Sequence, residues 1–92
     1  MKVVWSKRAQ HAFREQVVWY EANRGHDFVL TFSLNIQGYI DAICNMPSIG
    51  RLIKVENGRS YRSISNHPRC TIFYWHNDKV VHIANLRFSA VR

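Results

Sequence analysis

Three apolar runs near the C-terminal end, Ser60–Ser65, Arg69–His76 and Val80–Arg87, set the pattern that the rest of the chain must accommodate. The middle run, Arg69-Cys70-Thr71-Ile72-Phe73-Tyr74-Trp75-His76, is rich in β-branched and aromatic residues that suit a pleated, half-buried surface. Asn66-His67-Pro68 breaks the chain before it. Asn77-Asp78, both tolerant of left-handed backbone angles, predicts a two-residue turn after it. That turn sets Trp75 opposite Val80, Tyr74 opposite Val81, Phe73 opposite His82 and Ile72 opposite Ile83. Alternation gives one face with Phe73, Trp75, Val80, His82, Ala84 and Leu86, and a second with Ile72, Tyr74, Val81, Ile83, Asn85 and Arg87. Both faces are apolar enough to need a cover.

Upstream, Lys2–Trp5 reads as a short strand, and the Ser6 hydroxyl suits a helix N-cap. Ala9, Ala12, Phe13, Val17 and Tyr20 recur at spacings of three and four, which predicts a helix over Lys7–Asn23 that ends at Gly25. Asp27 can cap a second helix, Phe28–Met46, with Val29, Phe32, Ile36, Tyr39, Ile40 and Ile43 on its apolar side and Pro47 as its stop. The short link makes the pair an antiparallel hairpin, and Gly38 inside the second helix suggests a close approach of the first. Ile49–Glu56 is a strand candidate. Asn57-Gly58 is the strongest turn signal in the chain and sets Glu56 opposite Arg59.

The order strand, helix, helix, then four strands predicts an α+β fold (β-α-α-β-β-β-β). A two-helix hairpin packs on one face of a small, mainly antiparallel twisted sheet, as a single domain over residues 1–92. Two helices can cover one face only. The other, with aromatic, Arg and His side chains, is left for a partner.

Composition narrows the class. Of the 92 residues 47% are hydrophobic and 21% charged, a globular balance, and no apolar stretch is long enough to span a bilayer. No secretory leader is evident at Met1, so a cytoplasmic protein with reduced Cys44 and Cys70 is expected. The charge is uneven. Residues 1–49 carry five Lys/Arg against four Asp/Glu, whereas residues 50–92 carry eight against two, so the excess lies with the sheet. Such a field draws nucleic acid or an acidic protein surface. His76, His82 and Cys70 alternate faces or lie at opposite strand ends, a spacing that does not suit zinc, and no cofactor is expected.

Taken in order, the strand ending at Trp5, the helical hairpin, Pro47-Ser48-Ile49-Gly50-Arg51, Tyr61-Arg62-Ser63-Ile64, Ile72-Phe73-Tyr74 and Val81–Arg87 resemble the RelE/ParE toxin superfamily over essentially the whole chain. The resemblance implies the toxin half of a type II toxin–antitoxin pair, held in a hetero-oligomer by a cognate, usually acidic antitoxin. It also implies one of two targets. ParE-like members bind DNA gyrase without a nuclease reaction, and RelE-like members are ribosome-dependent mRNA endonucleases.

RNA cleavage by 2′-OH attack needs a base, a cation for the phosphorane charge and an acid for the leaving oxygen. The nuclease branch points to Arg62, where the family carries a basic sheet residue, with Lys54, expected to face Tyr61, and Arg87 near the C-terminus. Thr71 stands where RelE-like nucleases place an Arg, and the C-terminal stretch has no Tyr. These departures favour a ParE-like or catalytically inactive protein over the nuclease. The candidates for binding antitoxin or target are Arg51, Arg62, Tyr74, Trp75, His82 and Arg87. Plainer roles compete: a loop-carbonyl clamp for Arg62, a hydrogen-bonded sheet histidine for His82, a strand-end charge for Arg87. A plain nucleic-acid-binding module is the remaining alternative.

Overall fold

Ser6 separates β1 (Lys2–Trp5) from α1 (Lys7–Asn23), with an extended backbone and a hydroxyl that accepts the Ala9 N–H at 2.9 Å. The computed structural model describes residues 1–66 and 70–89. The expected break at His67-Pro68, and the cations Arg69 and Arg92, lie outside them. After α1 come α2 (His26–Asn45), a 3-10 turn (Pro47–Ile49), β2 (Arg51–Glu56), β3 (Arg59–Asn66), β4 (Cys70–His76) and β5 (Val80–Phe88). Among the described residues no helix is long and apolar enough to cross a membrane.

The first helix ends where expected, and the second starts two residues earlier than expected. Arg24 and Gly25 both donate their N–H to the Tyr20 carbonyl, ending α1, and Gly25 at φ +91° then serves as the N-cap of α2. The second helix therefore starts at His26, and Asp27 lies in its first turn, where a carboxylate complements the helix dipole. Gly38 does not mark a close approach, since a Cβ there would meet nothing within 4 Å.

The helices run antiparallel through ring contacts. Phe13 stacks on Phe32 at 5.7 Å, and Tyr20 sets its edge against Phe28 and Phe32. Trp5 edges onto Phe13 and Phe32 leans on Phe88, so a row of rings ties the hairpin to the sheet.

The sheet has the order β1-β5-β4-β3-β2, with β1 parallel to β5 and the other pairs antiparallel. Ala9, Ile36, Ile40 and Ile43 from the helices bury against Ile72, Tyr74, Val81, Ile83 and Leu86. The cover is partial. It lies over the β5–β4 half of the sheet, and every residue of β2 is exposed.

The β4–β5 register corrects the expected one twice. The turn is at Asp78-Lys79: the Asn77 N–H donates to the Val80 carbonyl at 3.1 Å, while Asn77 Oδ1 accepts the Lys79 and Val80 N–H groups. Trp75 therefore pairs with His82 and Tyr74 with Ile83. A slip of two residues leaves the faces unchanged. The second correction does not. A bulge passes over Ala84, so that Phe73 pairs with Asn85 and Ile72 with Leu86. Leu86 turns into the core, and Asn85 and Arg87 turn out of it, the reverse of simple alternation.

Candidate functional face

Residues directly opposite one another in a ladder share a face, so the register sorts every strand residue to one side. The helix side holds the row Leu52, Arg62, Tyr74, Ile83 and the row Val55, Ser60, His76, Val81. The open side holds Arg51, Ser63, Phe73, Asn85; then Lys54, Tyr61, Trp75, His82; then Ser65, Thr71, Arg87; and the pair Glu56–Arg59.

Cations on this open side lie over rings. The Arg59 guanidinium carbon is 4.2 Å from the Trp75 ring centroid, Lys54 Nζ is 4.9 Å from that of Tyr61, and the Arg87 carbon is 5.1 Å from that of Phe73. Each such contact contributes roughly 0.5–1 kcal/mol where exposed and holds the charge close to the sheet. His82 stacks on Trp75 at 5.0 Å and 11°. Its Nδ1 is buried with no hydrogen-bond partner among the described residues. Glu56 is the one acid that the register places on this side, and its carboxylate lies 3.5 Å from Lys54 Nζ.

Where β2 and β4 begin and β3 and β5 end, a hollow of about 500 Å³ is lined by Arg51, Ser63, Ser65, Thr71, Phe73 and Arg87. Ser65 Oγ and Thr71 Oγ1 are 3.1 Å apart across it. Two guanidinium groups with three hydroxyls make a receptor for carboxylate or phosphate oxygens. Among the described residues no general base lines it.

Five of the residues singled out from sequence lie on the open side, Arg51, Lys54, Trp75, His82 and Arg87, and of these Arg51 and Arg87 line the hollow. Arg62 and Tyr74 are not on that side. Arg62 points to the helix side, where Nε donates to His76 Nε2 at 3.0 Å and Nη1 donates to the carbonyls of Gly50 (2.9 Å) and Ser48 (3.4 Å). Tyr74 is 1% exposed; its hydroxyl donates to the Pro47 carbonyl and accepts the Gly50 N–H. Together they bolt the Pro47–Gly50 segment to the sheet, which delays the start of β2 to Arg51. A Cβ on residue 50 would lie 2.6 Å from Tyr74 Oη and 2.9 Å from the Ser63 carbonyl, so glycine is required there. A buried Tyr74 ring offers a partner no surface, and the trio Arg62, Lys54 and Arg87 does not converge on one point.

Burial, helped by the neighbouring Arg62 guanidinium, pushes the His76 imidazole below its usual range. Burial raises the Tyr74 phenol despite its hydrogen bond from Gly50. The Cys70 thiol, buried in the core, is pushed up to about 12, and burial raises Cys44 too, so neither is an activated nucleophile. Among the described residues no group of three or more His, Cys, Asp or Glu could hold a metal ion.

Sequence reading missed Arg59, Tyr61, Phe73 and the hydroxyl residues Ser63, Ser65 and Thr71. The signal was present for the first two. Asn57-Gly58 fixes the β2–β3 register, and alternation from Glu56 and Lys54 carries Arg59 and Tyr61 to the same side.

No protein-family model matches the chain, and no curated protein matches it. Solved structures do. A chain of the chromosomal ParDE TA system from P. aeruginosa superposes with a TM-score of 0.77 over 98% of this chain and 97% of that one, at 13% identity. At that identity the likeness establishes a shared fold from end to end.

Proposed function

We propose that this chain is the toxin of a type II toxin–antitoxin module in the RelE/ParE superfamily, ParE-like and acting without a nuclease reaction. In this reading it is a cytoplasmic protein neutralised by an acidic antitoxin, and the open sheet face receives that antitoxin. The observation that carries it is the ring-backed set of cations Lys54, Arg59 and Arg87 on a face that the described residues leave uncovered. Fold likeness to a ParDE chain supports the same class. The divergence of Arg62 from Lys54 and Arg87 supports the non-nuclease branch over the mRNA endonuclease.

Induced expression in a bacterial host tests it. The chain alone should arrest growth with filaments and DNA double-strand breaks, the signature of a gyrase poison. Co-expression of a short acidic protein from the adjoining reading frame should restore growth. Unimpaired growth overturns the reading.

A second reading rests on the hollow between Arg51 and Arg87, whose hydroxyls and guanidinium groups suit a phosphodiester. Rapid loss of translation with mRNA cut in the ribosomal A site would select it. Steeply salt-dependent binding to naked nucleic acid without toxicity would instead select a plain binding module.

A further inference from the structure

The β2 strand is a sheet edge with apolar side chains in water: Leu52 is 47%, Ile53 51% and Val55 65% exposed. Long exposed edges of this kind are normally covered or blunted, because their unpaired backbone groups template another strand. Its sequence, Arg51-Leu52-Ile53-Lys54-Val55-Glu56, carries a second property. Reversed and laid against itself, it is complementary. Antiparallel pairing about a two-fold axis sets Arg51 opposite Glu56 of a second copy, Leu52 opposite Val55, and Ile53 opposite Lys54.

The faces agree with this pairing. In the β2–β3 ladder Arg51 and Glu56 both lie on the open side, opposite Ser63 and Arg59, while Leu52 and Val55 both lie on the helix side, opposite Arg62 and Ser60. That agreement depends on the irregularity at Ile53, between Leu52 and Lys54. If these six residues alternated regularly, with no bulge, Arg51 and Glu56 would fall on opposite faces. A slip of two residues in one direction would set Arg51 against Lys54, a like-charge pair that disfavours the alternative register. In the favoured register the two Lys54 are offset diagonally, each held over its own Tyr61 ring and beside its own Glu56.

We propose that β2 is a homodimer interface: Arg51–Glu56 pairs antiparallel with the same strand of a second copy, joining two five-stranded sheets into one. The interface is isologous and closes after two subunits. It also merges the two open faces into a single cationic platform, because opposite residues share a side. The inference is independent of the toxin reading, since it rests on the edge alone.

Analytical ultracentrifugation of the full chain over a concentration series tests it. The wild type should dimerise reversibly. Arg51→Glu or Glu56→Arg alone places two like-charge pairs at the junction and should raise the dimer dissociation constant about tenfold or more. The double variant R51E/E56R restores opposite charges and should return it to within a few-fold of wild type. Val55→Lys changes an exposed side chain that the core does not use, and it should give a folded monomer by circular dichroism. A wild type that remains monomeric at high micromolar concentration overturns the proposal. So does a dimer that ignores Arg51→Glu, Glu56→Arg and Val55→Lys alike.

Discussion

The Ser6 hydroxyl donates to the Ala84 carbonyl at 2.7 Å, across 78 positions of sequence, while accepting the Ala9 N–H. Ala84 is the residue that the β5 bulge leaves without a cross-strand partner, and the Ser6 N–H takes the neighbouring Ile83 carbonyl at 2.9 Å. The cap that starts α1 thus also satisfies the backbone that the bulge sets free. The bulge in turn sends Leu86 inward and Arg87 outward. One side chain links a helix start to the placement of a candidate binding cation.

Ser6→Ala removes both bonds and should cost about 1–2 kcal/mol, more than a helix cap alone usually does on an exposed helix. Urea denaturation checks the size. Amide shifts should spread along β5 from Ile83 to Arg87, not only along the first turn of α1.

Tyr74→Phe leaves the buried Gly50 N–H without its acceptor and should cost about 1–3 kcal/mol. Gly50→Ala should cost about as much or more, because one of the crowded neighbours is the Ser63 backbone, which cannot swing aside. Thermal melts of the two variants separate them. In the first the ring stays in place, and in the second the Pro47–Gly50 segment has to move.

Stability should fall in mild acid through His76. Its Nε2 accepts from Arg62, so protonation breaks the bond and sets two cations together. The folded-state pKa lies below the ordinary 6.5. The unfolded chain therefore binds the proton first as pH falls, and the stabilising contribution is complete above about 6.5 and lost towards the lower, folded-state value. His76→Gln keeps an acceptor for Arg62 and does not titrate. Urea midpoints from pH 7.5 down to 5 should decline less for this variant than for the wild type.

Much of the architecture was legible because it is written locally. The i, i+3, i+4 stripe of Ala9, Phe13 and Tyr20, the Ser6 cap and the Asn57-Gly58 turn each depend on neighbours in sequence. The Glu56–Arg59 and Lys54–Tyr61 pairings follow from that turn and are observed. What was not legible is set at a distance. Nothing around Ala84 signals a bulge, since the group that satisfies its carbonyl is at the other end of the chain. Arg62 looks the same in sequence whether it meets a partner or a carbonyl 12 residues away. Arg87 reached the open face for a reason that alternation alone cannot supply.

The most direct test measures the affinity of the wild type and of R59E/R87E for the proposed antitoxin, a short acidic protein expressed from the adjoining reading frame. Both arginines rest over rings on the open side, outside the core, so circular dichroism of the variant should match the wild type. Reversing two docking charges should weaken binding by about a hundredfold or more and flatten its salt dependence. An affinity unchanged by the double reversal would contradict the assignment of the open face as the partner's seat.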